Sequence, residues 1–252
     1  MHSTKLSIIC PSYNSAGTIE KLIQSVVNQT SKDYELIIVD GGSTDETISI
    51  IAKYSSIYGG IQYISEPDLG IYDAMNKGIG LSSGEWLFFV GSDDFLYNND
   101  VIERVFDSYN GSNMLIITRT FLSIGKIRTS KLNYKTLFFN TVHHQGILYR
   151  KEIFKKYRYD INLKTNSEYE LHLNLYLNKV IPFYSNVIFC NFTFGGVSGR
   201  AKFTGYHQEI LVRHKIIKNE LLKLFLDFTT ILRFLLKRFF LLLGLNLHIY
   251  KV

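Results

Sequence analysis

The sequence predicts an α/β fold: a mostly parallel central sheet flanked by helices, with a helical, amphipathic C-terminal extension. Three observations carry that expectation. Short, wholly apolar runs of strand length alternate with segments of helical period. The strands lack polar alternation, as strands covered on both faces do. Each apolar run ends in a turn rich in Gly, Ser, Asp or Pro, so successive turns gather at one edge of the sheet.

Leu6–Cys10 reads as the first buried strand, closed by the turn PSYNSAG. Residues 18–30 repeat Ile19, Leu22, Ile23, Val26 and Val27 at helical spacing. Glu35–Val39 is the second strand and ends in DGGSTD. Residues 45–58 carry Ile48, Ile51, Ala52 and Ser55 on one face, with Ser43–Glu46 supplying capping groups. Ile61–Ser65 is the third strand, followed by EPDLG and a helix through residues 73–80. Trp86–Val90 is the fourth, followed by GSDD. Residues 115–198 are less regular, with short strands expected at 114–118, 123–127 and 146–150 and a helix at 167–177. From Tyr206 the pattern is helical to about Leu243.

The chain has 252 residues, of which 46% are apolar and 20% charged, the balance of a folded globular protein. Two cysteines, Cys10 and Cys190, exclude a disulfide scaffold and a four-cysteine metal site. The first residues lack the apolar core of a signal peptide, so a reducing cytoplasmic setting is expected. The net charge of +6 is uneven: residues 199–252 hold 10 Lys and Arg against 3 Asp and Glu, while the rest is nearly neutral. A nucleic-acid binder would carry its charge on the folded body. A basic tail on a neutral body points to an anionic surface met by the tail, and not to nucleic acid.

Carboxylates at a strand end can hold a divalent ion together with substrate phosphates, which makes Asp93 and Asp94 candidates. Asp40 opens a turn whose two glycines let a backbone approach closely, either as a simple Asx turn or as an acceptor for a nucleobase edge. No GxGxxG follows the first strand and no GxxxxGK[ST] occurs, against a nicotinamide dehydrogenase or a P-loop enzyme. A nucleotidyltransferase would need a basic, glycine-rich first turn, and PSYNSAGT has no Lys or Arg.

LSIICPSYNSAGTIEKLIQSVVNQT, LIIVDGGSTDET and SEPDLGIYDAMNKGIGLSSGEWLFFVGSDD, in that order, resemble the inverting family 2 glycosyltransferases of GT-A, Rossmann-like fold. The nearest likeness is to the bacterial branch that builds exopolysaccharide, capsule or O-antigen units, and it covers about residues 5–200. The resemblance implies a catalytic domain over residues 1–205, and the basic, helical pattern that follows is expected to form a membrane-associating tail over residues 206–252. It implies a nucleotide-sugar donor held by Pro11, Tyr13, Asp40, Asp73, Lys77, Ser92 and Asp93, with Mg2+ or Mn2+ at Asp93 and Asp94. Glu168, in TNSEYELHLNL, stands where the family places its base, with Glu170 two residues on. His144 and Gln145, with Gly196 of FGGVSGR, fall on the acceptor side. Three departures stand out: Met75 replaces a usual arginine, Gly91 replaces the first acid of the acidic motif, and Glu replaces Asp at 168. They raise a second expectation, a donor-binding protein that has lost turnover.

Residues 221–247 are rich in Leu and Phe yet contain Lys223, Asp227, Arg233, Lys237 and Arg238. At about 100° per residue these charges share an arc of roughly 120° to 260°. No charge-free run reaches the ~20 residues needed to span a bilayer. An interfacial helix with its cations on anionic lipid is expected, the alternative being a helix packed on the catalytic core or on a second subunit. With the resemblance, this places the chain peripherally at the cytoplasmic face of the inner membrane, acting on a lipid-linked saccharide.

Overall fold

Strand β1 (Leu6–Ser12), helix α1 (Ile19–Val27), strand β2 (Tyr34–Asp40), helix α2 (Thr47–Ile57), strand β3 (Ile61–Ser65), helix α3 (Ile71–Leu81) and strand β4 (Trp86–Phe89) alternate through the first third of the chain. The structure is a computed structural model that describes residues 4–193 and 203–243. Ile19, Leu22, Ile23, Val26 and Val27 are the buried face of α1, the five positions its period selects. In α2 the capping group comes from the expected stretch 43–46. Glu46 occupies the cap position without a side-chain bond, and its neighbour Asp45 accepts the Thr47 N–H through Oδ1 at 3.0 Å.

Strands β3, β2, β1 and β4 lie side by side and parallel, with Ser12 beside Asp40 and Asp40 beside Ser65. That register brings the turns after β1, β2 and β3 to one edge. Helix α3 presses on β1 through Gly78, where a Cβ would strike Ile9.

Beyond β4 the chain forms β5 (Phe95–Leu96), α4 (Val101–Ser108), β6 (Leu115–Leu122), β7 (Lys126–Thr129), β8 (Ile147–Arg150), α5 (Ile153–Lys156), α6 (Ser167–Leu177) and β9 (Phe183–Phe192). The described sheet runs β3-β2-β1-β4-β8-β6-β9-β5, with β7 on β6. It turns antiparallel at β8, while β6 and β9 pair in parallel. The strand expected at 123–127 starts later: residues 123–125 are the hairpin turn between β6 and β7, and only Lys126 and Ile127 lie in β7. Gly125 adopts φ +79° and its N–H bonds to the Leu122 carbonyl at 2.9 Å. Strand β9 was not anticipated, because its polar residues hide its length. Phe189 and Cys190 nevertheless sit fully buried in the core. Two apolar clusters cover the two faces of the sheet, one under α1, α2 and α4, the other under α3, α5 and α6.

The helical stretch after residue 203 is two helices, α7 (Phe203–Ile216) and α8 (Glu220–Leu242), and not one. Asn219 breaks it, accepting the Leu222 N–H at 2.9 Å as a side-chain cap. Helix α7 packs on α6, where Val212 joins Tyr169 and Leu173. Arg213 is 0% exposed. Its guanidinium donates to the Phe138 carbonyl (3.1 Å) and Thr230 Oγ1 (2.8 Å) and lies 3.4 Å from Asp227. Arg233 pairs with Glu209 and reaches the same Phe138 carbonyl at 3.3 Å. A buried arginine is tolerated because these acceptors replace its water.

Candidate active site

The turns after β1 and β2 are sewn together. Asn14, in the left-handed region at φ 47°, donates its N–H to Ser43 Oγ at 2.8 Å and accepts the Thr44 N–H at 2.9 Å. Ser15 N–H reaches Thr47 Oγ1 at 2.8 Å, and Ala16 N–H reaches Asp45 at 3.1 Å. The result is a rigid two-loop cradle at the carboxyl edge of the sheet. Tyr13 stands above it, 63% exposed, a free aromatic face beside Pro11.

Asp40 is the hub of the cradle. Its Oδ2 accepts from the Gly42 and Ser43 N–H groups (3.0 and 2.8 Å) and from Ser65 Oγ (2.8 Å), and its Oδ1 from Ser43 Oγ at 2.5 Å. It is 0% exposed, so in this arrangement it shapes the loop from within. Gly41 lies close under Asp68: a Cβ there would lie 2.6 Å from Asp68 Oδ2. Asp68, in EPDLG, thus joins the cradle. Sequence reasoning passed it over, although its place in a strand-end turn was the available signal.

Asp73 and Lys77 lie one turn apart on α3 and pair at 3.5 Å, while Lys77 pairs more closely with Glu66 at 2.8 Å. The Glu66 hydrogen bond raises the affinity of Lys77 for its proton. Met75, on the same helix, is 1% exposed and packs in the core. The missing arginine therefore leaves a filled apolar position and no gap.

The acidic turn splits into two environments. Asp94 is buried. Its Oδ1 accepts the Thr193 N–H at 2.8 Å and its Oδ2 the Gln145 amide at 3.0 Å. Burial pushes its carboxyl up to about 7, with Asp93 adding to the rise. Asp93 and Ser92 are partly exposed. Both carboxyls fold over Gly91, where a Cβ would meet Asp93 Oδ1 at 2.7 Å and Asp94 Oδ2 at 3.0 Å. The glycine at the first position makes this compact turn possible.

Among the described residues no three His, Cys, Asp or Glu groups gather as a metal cage. The donor set fits a hard divalent ion of another kind, held by one open carboxylate with a second behind it and completed by substrate phosphates and water.

Glu168 begins α6 and faces inward. Tyr72 of α3 donates its hydroxyl to Glu168 Oε2, and His144 Nδ1 lies 3.4 Å from Oε1. Burial lowers His144 below its ordinary value, against the pull of Glu168, which favours a neutral ring beside the carboxylate. Glu170 points elsewhere: Lys215 of α7 pairs with it at 2.6 Å. Tyr72 is a second residue that sequence reasoning missed. Beneath Glu168, Tyr149 and Asn140 bracket His172 at 2.7 and 2.8 Å, and burial drives His172 down to about 3.

The adjacent residues His144 and Gln145, in a short 3-10 turn, touch Glu168 and Asp94 respectively. One dipeptide thus ties the acidic turn to the inward carboxylate. The segment containing Gly196 lies outside the described residues.

Residues 7–169 match the family described as glycosyl transferase family 2. The chain belongs to that family. This family 2 glycosyltransferase is 32% identical over 210 residues to a PGL/p-HBAD biosynthesis glycosyltransferase of Mycobacterium bovis, covering 79% of this chain and 80% of the relative. Among solved structures, S. aureus TarS 1-349 in complex with UDP-GlcNAc superposes at a TM-score of 0.69 with 20% identity, over 94% of this chain and 72% of that one. The chain spans 43% of a longer TarS chain. The mannosyltransferase PcManGT of Pyrobaculum calidifontis, in complex with GDP-Man and Mn2+, gives a TM-score of 0.64 at 13% identity, over 85% and 64% of the two chains. The architecture is the GT-A fold. No helix among the described residues is long and apolar enough to cross a membrane.

Proposed function

We propose that this glycosyltransferase moves a sugar from a UDP-sugar, with inversion, onto a hydroxyl of a lipid-diphosphate-linked saccharide in assembly of a surface polysaccharide of exopolysaccharide, capsule or O-antigen type. Residues 1–205 are the catalytic domain in this reading. The tail, residues 206–252, keeps the chain peripherally at the cytoplasmic face of the inner membrane. The expected contact of its cations with anionic lipid is corrected, because Asp227 and Arg233 of its long helix turn to partners on the body and leave the apolar side outward. The UDP and UDP-GlcNAc complexes of TarS support the donor class, and the mycobacterial PGL/p-HBAD biosynthesis glycosyltransferase supports sugar transfer in a biosynthetic route.

The observation that carries the reading is the placement of Glu168, held by Tyr72 and His144 and linked through Gln145 to the acidic turn. Glu168 takes the proton of the acceptor hydroxyl as that oxygen forms its bond to the anomeric carbon. The bond from that carbon to the phosphate oxygen breaks, and its electron pair leaves with the nucleoside diphosphate. Tyr72 fixes the carboxylate, and neutral His144 keeps Oε1 turned toward the site without supplying a competing charge. Asp93, backed by Asp94, would hold Mg2+ or Mn2+, which when bound would supply positive charge for the departing diphosphate. Pro11, Tyr13 and the loop shaped by Asp40 receive the base. Ser92, Asp73 and Lys77 line the diphosphate and sugar side, and His144, Gln145 and Gly196 the acceptor side.

Titration calorimetry with UDP, with and without Mn2+, tests the site. Metal-dependent binding that Asp93→Asn abolishes is expected, with Glu168→Gln binding UDP normally while turnover falls by about 10²–10⁴. The compact, glycine-led acidic turn favours one other reading, donor binding without transfer. Normal UDP binding with no transfer to any lipid-linked acceptor establishes it.

A further inference from the structure

Helix α8 is amphipathic in the reverse sense to a surface helix of a globular protein, which turns its apolar side inward. Its polar side faces the body: Asp227 pairs with buried Arg213 and with His214 (2.6 Å), Arg233 pairs with Glu209, and Thr230 is buried beside Leu226. Its apolar side faces out. Leu221, Phe225, Phe228, Leu232, Leu235 and Phe239 are all exposed, Leu221 at 79%. With their exposed neighbours they form a stripe about 140° wide and about 33 Å long, uninterrupted by any polar residue. A patch of this size on a monomer marks an interaction surface.

We propose that this stripe docks α8 flat on a lipid bilayer by inserting its hydrocarbon side chains, while the charged side anchors the helix to the catalytic body. Two observations favour lipid over a second copy of the helix. A coiled-coil seam is narrow and flanked by charges that set register and partner. Here the flanking positions are mostly apolar, namely Leu222, Leu224, Ile231, Leu236 and Leu243, with Thr229 and Arg238 the exceptions. Arg238 lies at one edge of the stripe, within reach of a headgroup, and the C-terminal residues 199–252 carry the chain's basic excess.

Docking would also orient the site. The Phe138 carbonyl receives both Arg213 and Arg233, and the Phe138 ring packs on Phe225 at 6.2 Å. The same segment runs on through Asn140, which holds His172, to His144 and Gln145. The bilayer-facing helix is thus clamped to the loop on the acceptor side. The inference deepens the reading of a lipid-linked acceptor and rests on it only for the purpose of docking.

The test is flotation of the full chain with vesicles of phosphatidylcholine alone and with about one quarter phosphatidylglycerol, at low salt and at about 0.5 M NaCl. The chain is expected to float with both, with binding to the neutral vesicles unaffected by salt. Phe228→Glu/Leu235→Glu is expected to lose binding by about a hundredfold. UDP affinity and thermal midpoint of that variant, unchanged, separate lost docking from misfolding and from failure of the donor-site reading. Three results would overturn the proposal: no flotation with either vesicle; binding to anionic vesicles alone that salt reverses and the variant retains; or a dimer in sedimentation that the variant dissociates.

Discussion

Asp94 shows how one side chain sets the conditions for the rest of the site. Buried and raised to about 7, it keeps its proton into the neutral range, and protonation removes the second negative charge of the acidic turn. If that charge backs a divalent ion, Mn2+-dependent UDP affinity rises with pH between about 6 and 8 as the proton leaves. Asp94→Asn is expected to bind more weakly and without that pH dependence, in calorimetry repeated across the range. An Asn variant that keeps the slope places the titration elsewhere. The substitution is tolerable structurally, because the buried Gln145 Oε1 lacks a partner and can accept from an amide after a flip. Tyr72→Phe removes the hydroxyl that holds Glu168 and is expected to lower turnover about tenfold with UDP affinity unchanged, measured on the same preparation. Glu168 and Asp93 could be singled out as candidates in the sequence because their motifs are local. Tyr72 and Asp68 were not, because what matters about each is a partner far away in the chain.

Elements owe their positions to a few close approaches. Gly84 precedes β4 where a Cβ would lie 2.6 Å from the Ser7 nitrogen, in backbone that cannot give way. Gly84→Ala is therefore expected to destabilise the fold by about 1–3 kcal/mol, read as a lower urea midpoint with an unchanged slope. Gly80, on α3 with open space around its α-carbon, is the control and is expected to tolerate alanine. Strands β1 to β4 and helix α1 were legible because burial on both faces leaves an unbroken apolar run and a clear helical period. Strand β9 was not, since its mixed composition matches a site beside β6 and β5 that the local sequence does not encode. The hairpin at Gly125 was missed because residues 123–127 have strand-like composition while their geometry is set by the pairing of β6 with β7.

At the scale of the molecule, three histidines, His143, His144 and His172, are held below their ordinary value by burial. Each is neutral when folded and gains a proton on unfolding below about pH 6.5. Their contribution is present above that pH and is lost as pH falls toward their folded values. Asp94 acts in the opposite sense, since its folded value lies above its ordinary 3.8, so it favours the fold at acid pH and loses that advantage toward pH 7. Three groups outweigh one, and the melting temperature is expected to fall by several degrees between about pH 7 and pH 5. Scanning calorimetry at the two values checks it, with His172→Asn expected to be less stable at pH 7 but less sensitive to acid.

The amino-acid sequence by itself determined the alternation of strands and helices, the edge where the turns gather and the family of the chain, because each depends on periodicity and short motifs within one stretch of residues. It also determined that the C-terminal helix has a charged side and an apolar side. Which side faces the body was decided only by the tertiary structure. The hydrophobic pattern alone favours burying the Leu and Phe stripe, yet Arg213, Glu209 and the Phe138 carbonyl, remote in sequence, offer the charges of α8 partners they would otherwise find only in water. Likewise the two acids of α6 look alike in sequence, and packing parted them, turning Glu170 to Lys215 and Glu168 to Tyr72 and His144.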